Sequence, residues 1–151
     1  MTSDGGFRLI VVAFDGSTDS ATAVQLAASL AAKYGARLIV AHVYNSPAMA
    51  LAGGPGMPMP DYSELEAAAK DTGRSVLSRG IQLAAQAGVK AEGELIQASS
   101  VVEALVGLAS DQHADLLVVG TRGMTGFKKL VVGSVSSGLV SHAHCPVLVV
   151  R

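Results

Sequence analysis

Five residues in one late stretch, Gly120, Gly123, Gly126, Gly133 and Ser134, have the types and spacing to bind phosphate. They lie within Leu116 to Gly138, LLVVGTRGMTGFKKLVVGSVSSG, which reads as a buried strand, a glycine-rich loop and the start of a helix. Gly123 and Gly126 permit close backbone approach to a ligand. A loop that ends at a helix N-terminus presents free N–H groups and the positive end of a dipole, and both suit phosphate. Ser134 and Ser136 add hydroxyl donors. Arg122, Lys128 and Lys129 can neutralise charge, although two adjacent lysines are more often a solvated face. Far upstream, Asp15 stands in Asp15-Gly16-Ser17, after an apolar run. A carboxylate beside a phosphate loop can hold Mg²⁺, directly or through water. The same triplet is also good turn chemistry, and spacing alone leaves both readings open.

Such residues need a fold to bring them together. The chain has 151 residues, enough for one domain with a sizeable core. Half of it is hydrophobic and 15% is charged, which excludes a disordered chain. Aromatics make up 4%, too few for the stacking surfaces of a single-strand nucleic-acid binder. A net charge of -1 and a pI near 6.4 offer no bulk attraction to nucleic acid or to an anionic membrane. Cys145 is the single cysteine, so no intrachain disulfide forms. The opening MTSDGGFR lacks a basic, then apolar, signal pattern, and no apolar run reaches the ~20 residues of a bilayer span. The expectation is a cytoplasmic protein without membrane or nucleic-acid partners.

In order, Arg8 to Phe14 is a near-continuous apolar run, as expected of a strand buried on both faces. Ser17 or Thr18 then caps a helix that closes at Gly35. Arg37 to Tyr44 is a second strand. Tyr62 to Ala87 has a long helical pattern with Leu65, Ala68, Ala69, Val76, Leu83 and Ala84 facing inward. Gly73 and Gly80 weaken it enough for a break or kink. Val89 to Gln97 alternates and carries charges, as an edge strand does. Ser99 or Ser100 opens the next helix, with Glu103 placed for a capping box if Ser100 is the cap, and with Val102, Leu105, Val106 and Ala109 as its stripe. Asp115 to Val119 is a fourth strand, Gly133 to His142 a helix, and Pro146 to Arg151 a fifth strand. Strands alternating with helices imply a five-stranded parallel, doubly wound α/β sheet with helices on both faces, one domain over residues 1–151.

Asn45 to Asp61 stands apart. It holds Pro47, Pro55, Pro58 and Pro60, with Gly53, Gly54 and Gly56 and three methionines. The expectation is a mobile insertion or lid without regular structure.

Doubly wound sheets bind ligands beyond the C-terminal ends of their strands, at the topological switch point. If the first and fourth strands are neighbours, Asp15 and the glycine loop face one crevice. The loop is neither a P-loop nor a dinucleotide fingerprint, and the chain has no nucleophile elbow and no H-E-x-x-H zinc motif. Its pattern is Gly120-x2-Gly123-x9-Gly133-Ser134. In this fold position that spacing resembles the ATP-binding motif of the universal stress protein family. The resemblance extends to the strand ending in Asp15-Gly16-Ser17, to Ala41-His42-Val43, to Asp115-Leu-Leu-Val-Val-Gly120 and to the closing Cys145-Pro-Val-Leu-Val-Val150.

The resemblance implies a Rossmann-like fold of the adenine nucleotide alpha hydrolase kind and a bound ATP with Mg²⁺ or Mn²⁺. It implies that Asp15 lies close to the nucleotide and its metal. Ala13 and the main chain of Val43 would border the adenine. Val119, Gly120, Arg122 and Gly123 would line the ribose and phosphates. Gly133 and Ser134 would hold phosphate, with Val135 and Ser136 beside them. Family members that do not bind ATP lack the loop pattern that this chain keeps. The resemblance also implies a homodimer through the last strand, 146–151, which agrees with an apolar VLVV at a sheet edge.

A nucleotide-dependent module of a stress response is therefore expected. A slow ATPase is the enzymatic alternative, set lower because no evident base activates water. Binding of AMP or cyclic AMP, and a nucleotide-free interaction protein, are further alternatives. His142, His144 and Cys145 are a weak metal cluster, more simply a helix C-terminus whose dipole favours His. His42 is expected to be satisfied or facing water, and Cys145 buried and inert.

Overall fold

Strands that are apolar on both faces must be covered by helices on both faces. The computed structural model shows this arrangement over residues 5–51, 54–58, 60–121 and 133–151, the residues it describes. The elements in order are β1 (Leu9–Ala13), α1 (Thr18–Tyr34), β2 (Arg37–Tyr44), α2 (Pro47–Leu51), α3 (Ser63–Gln86), β3 (Glu92–Gln97), α4 (Val101–Asp111), β4 (Leu116–Gly120), α5 (Ser134–His142) and β5 (Val147–Val150). The sheet is parallel throughout, in the order β3-β2-β1-β4-β5. The order reverses at β1, which pairs with both β2 and β4. The switch point thus lies between β1 and β4, as doubly wound folds require.

Successive residues of a strand point to opposite faces, and β1 divides its side chains accordingly. Ile10, Val12 and Phe14 join one core with Ala23, Val24 and Ala27 of α1 and Leu77 and Ala84 of α3. Leu9 and Val11 join the other core with Leu105 of α4 and Leu139 of α5. The small inward residues of α1 let it lie close to the sheet. Its start is capped by Ser17, whose Oγ accepts from the Ser20 N–H, and its end by Gly35 at φ 65°. At the opposite end of the sheet, the buried Asp115 joins β4 to β1. Its Oδ2 accepts from the N–H groups of Arg8 at 2.7 Å and Leu9 at 3.0 Å. Burial pushes the Asp115 carboxyl up, but hydrogen bonds to its charged form prevail and hold it well below the usual carboxylate range.

Two expectations about the middle of the chain are corrected. The first concerns α3, which runs from Ser63 to Gln86 without a break. Its buried residues are Gly73, Leu77, Gly80 and Ala84, whereas Leu65 and Ala68 are exposed. The expected stripe fails over its first part because that part has no sheet beneath it. A Cβ on Gly73 would meet Leu95 and Tyr44, near the C-terminal ends of β3 and β2. The part of α3 before Gly73, about 15 Å long, therefore runs past the strand ends. The two glycines are sites of close approach. A Cβ on Gly80 would lie 2.7 Å from Phe14 Cδ1 and 2.8 Å from Val40 Cγ1. Gly80→Ala gains up to ~1 kcal/mol of helix propensity but overpacks the core by ~1–3 kcal/mol, so it destabilises. Gly73→Ala is tight only against the end of the Leu95 side chain at 3.0 Å, which can move, while Tyr44 Cδ1 at 3.4 Å and His42 Cδ2 at 3.6 Å are ordinary contacts, so the propensity gain prevails and stability is kept or raised. Urea midpoints of the two variants check this, and the reverse order would refute it.

The second correction concerns 45–61, which includes the short helix α2. Pro47 at the first helical position has the right φ already, and Ala and Leu favour the helix that follows. The decisive partner is distant. The Glu66 carboxylate of α3 accepts from Ser46 Oγ, from the Ala48 N–H at 3.1 Å and from Gln97 Nε2 at 3.0 Å. It thus caps the start of α2 from another element, and these bonds hold the Glu66 carboxyl below its usual range. Tyr62 Oη also donates to the Leu51 carbonyl. The projecting start of α3 and α2 together form a wall above the C-terminal edge of β2 and β3.

Among the described residues, no helix is long and apolar enough to cross a membrane. Cys145 is half-buried rather than buried, and burial pushes its thiol up.

Candidate functional site

The expected site residues that the structure describes gather at the C-terminal edge of β1, β2 and β4. Ala13, Val43, Val119 and Val135 all belong to the core on the α4–α5 face of the sheet. Together they make an apolar surface that ends at the strand tips. Gly120 and Val150 are register partners at the ends of β4 and β5. Arg122, Gly123 and Gly126, with Lys128 and Lys129, lie outside the described residues.

Gly120 brings β4 against the first turn of α1. A Cβ there would lie 2.9 Å from the Asp19 carbonyl carbon, Asp19 Cβ and the Ser20 nitrogen. The next residue, Thr121, is buried and fully engaged. Its Oγ1 donates to Asp19 Oδ2 at 2.6 Å, its N–H donates to the Val150 carbonyl, and its carbonyl accepts from the Gly133 N–H at 2.8 Å. The two stems of the glycine loop are therefore joined directly. Asp19 and Thr121 are 102 positions apart and carry no sequence motif, so they were not among the expected site residues.

The N-termini of α1 and α5 differ. That of α1 is closed by its own side chains. Ser17 Oγ caps it, and Asp15 Oδ1 accepts from the Ser17 N–H at 2.9 Å in an Asx-type turn. The turn reading of Asp15 is thus shown, and it occupies one carboxylate oxygen. Among the described residues the other, Oδ2, has no hydrogen-bond partner. At α5 the N-cap is Gly133, which has no side chain to close the end. The N–H groups of Ser134, Val135 and Ser136 precede the first intrahelical donor, Ser137. Two details depart from expectation. The Gly133 N–H is bound to Thr121, and the buried Ser136 hydroxyl donates to the Gly133 carbonyl at 3.0 Å, so neither is free to donate to a ligand. Ser134 is exposed.

Two of the histidines are satisfied by backbone carbonyls. His42 Nδ1 lies 2.8 Å from the Phe14 carbonyl, and His142 Nδ1 lies 2.8 Å from the Gly138 carbonyl in the last turns of α5. Each bonded nitrogen faces a carbonyl and therefore carries the proton.

An apolar surface beside an open helix N-terminus, at the switch point of a parallel sheet, defines a doubly wound protein suited to a ligand with a flat apolar part and a phosphate. The model of the universal stress protein family matches residues 6–151. The chain is 35% identical over 149 residues to the universal stress protein in the QAH/OAS sulfhydrylase 3′ region of Thermus aquaticus, covering 96% of this chain and 99% of that one. Among solved structures, universal stress protein UspA from Lactobacillus plantarum superposes with a TM-score of 0.80 at 25% identity, covering 97% and 99% of the two chains. A universal stress protein solved in complex with cAMP superposes with a TM-score of 0.70 at 28% identity, covering 97% and 98%. This chain belongs to the universal stress protein family.

Proposed function

We propose that this protein binds an adenine nucleotide at the C-terminal ends of β1 and β4 and acts as a nucleotide-dependent module in a stress response. The observation that carries the reading is the pairing of one apolar floor, Ala13, Val43 and Val119, with the uncapped N-terminus of α5. The floor suits a purine base, and the helix end suits its phosphate. The nucleotide is ATP with Mg²⁺ or Mn²⁺. A single carboxylate with one oxygen to spare fits such an ion, which takes one or two carboxylates, phosphate oxygens and water. Asp15 would hold it, directly or through water, and the ion would neutralise phosphate charge. In this reading the module binds nucleotide and does not depend on turnover. A homodimer through residues 146–151 goes with this reading, since β5 lies at an open edge of the sheet.

A second reading, AMP or cyclic AMP as the ligand, is favoured by the related cAMP complex. Titration calorimetry with ATP, AMP and cAMP, each with Mg²⁺ and with chelator, separates the two. Asp15→Asn retains an acceptor for the Ser17 N–H while removing the charge. In this variant ATP affinity should fall about tenfold with Mg²⁺ and less than about twofold without it. Equal losses would exclude the metal role. Native mass spectrometry of freshly purified protein reports the co-purifying nucleotide and the dimer mass together.

A further inference from the structure

Where β1 ends, two backbone carbonyls flank Asp15 and pass beyond the sheet ladder. A carbonyl that leaves a ladder needs another partner. Both find one in a side chain from outside the turn. The Phe14 carbonyl accepts from His42 Nδ1 of β2 at 2.8 Å. The Gly16 carbonyl accepts from Arg79 Nη2 of α3 at 3.3 Å. The Arg79 guanidinium also lies over the Phe14 ring, 5.9 Å from its centroid, so stacking and hydrogen bond hold it in one place. Gly16 has φ 86°, a conformation that L side chains rarely adopt and that local sequence alone would hold weakly. A Cβ at Gly16 would come within 3.3 Å of Arg79 Nη2, so the guanidinium is seated closely on the turn.

We infer that Arg79, with His42, is a positioning residue for nucleotide binding: it clamps the Asp15–Gly16–Ser17 turn from the face of the sheet opposite the ligand and sets where the Asp15 carboxylate points. This rests on the nucleotide reading above. Phe14 and α3 belong to the α1–α3 core, whereas Ala13, Val43 and Val119 belong to the other. The backbone of the turn therefore stands between Arg79 and the ligand. Arg79 acts through Asp15 and does not touch phosphate. Nothing in the motif that marks the site points to this residue, because it lies on a different helix and 63 positions from the carbonyl it holds.

The test is a double-mutant cycle with Mg²⁺-ATP as titrant. Arg79→Ala should weaken binding about fivefold in the parent chain and less than about twofold when Asp15 is already Asn. Arg79→Lys, which keeps a cation but not the planar fork, should behave closer to Arg79→Ala than to the parent. Unchanged affinity in Arg79→Ala, or the same loss in both backgrounds, would overturn the inference. Amide exchange reads the clamp without any nucleotide. The Ser17 N–H, bonded to Asp15 Oδ1, should exchange about fivefold faster in Arg79→Ala with the midpoint of global unfolding unchanged. Unaltered Ser17 exchange would also overturn it. A parent chain that binds no adenine nucleotide, with Ser17 exchange still raised by Arg79→Ala, would refute the nucleotide reading and leave the clamp standing.

Discussion

Gly120→Ala is expected to melt about 5–10 °C below the parent chain, as read by calorimetry or circular dichroism. The added Cβ would lie 2.9 Å from three atoms of the first turn of α1, two of them backbone. Backbone cannot rotate away as the end of a side chain can. The strand and the helix must separate, and the Thr121–Asp19 hydrogen bond depends on that same approach. Removing a glycine from a strand returns up to ~1 kcal/mol, but overpacking of ~1–3 kcal/mol and a lost charged hydrogen bond of ~1.5–3 kcal/mol outweigh it. A melting temperature equal to the parent's would show that α1 and β4 do not meet as described.

Gly133→Ala is expected to act mainly on binding, keeping the fold at a modest cost in stability and losing nucleotide. Its backbone, at φ -62° and ψ 162°, is open to any residue, so no strain is introduced. The Cβ, however, would lie 2.7 Å from the Thr121 carbonyl oxygen, the acceptor of the Gly133 N–H. The bond that joins the stems of the loop must break, and the N-terminus of α5 must shift away from the tip of β4. Gly133 lies at the site rather than in either core, but the lost backbone hydrogen bond costs ~0.5–1.5 kcal/mol, so the melting temperature should fall by about 2–5 °C. Affinity for Mg²⁺-ATP should fall about hundredfold, equivalent to ~2.7 kcal/mol. Calorimetric titration showing parental affinity would remove α5 from the site.

These two glycines show which parts of the chain can be read in isolation. The strands were legible because continuous apolar runs such as Leu9 to Ala13 leave no other economical burial. The starts of α1 and α4 were legible to within one residue, at Ser17 or Thr18 and at Ser99 or Ser100, because a capping serine such as Ser17 or Ser100 bonds within three residues of itself. Glycine at Gly73 and Gly80 was not legible. The same residue signals a weak helix or a close contact, and only the position of Phe14 and Val40 decides between them. The helix α2 was likewise hidden, since its cap is the Glu66 carboxylate 18 positions from Ala48. Ser136 was assigned a ligand-facing hydroxyl from its type, but its burial turns that hydroxyl to the Gly133 carbonyl.

By itself, then, the sequence determined the order of strands and helices, the family, and the set of small and polar residues around one strand–loop–helix unit. All of these depend on local preference or on patterns a few residues long. Only the tertiary structure decided that β1 and β4 are neighbours and that Ala13, Val43 and Val119 share one face. It also decided that Asp15 divides its carboxylate between a turn and an open side, and that Arg79 supports that turn from behind. Those are contacts between residues tens of positions apart, and no local preference encodes which distant carbonyl a guanidinium will reach.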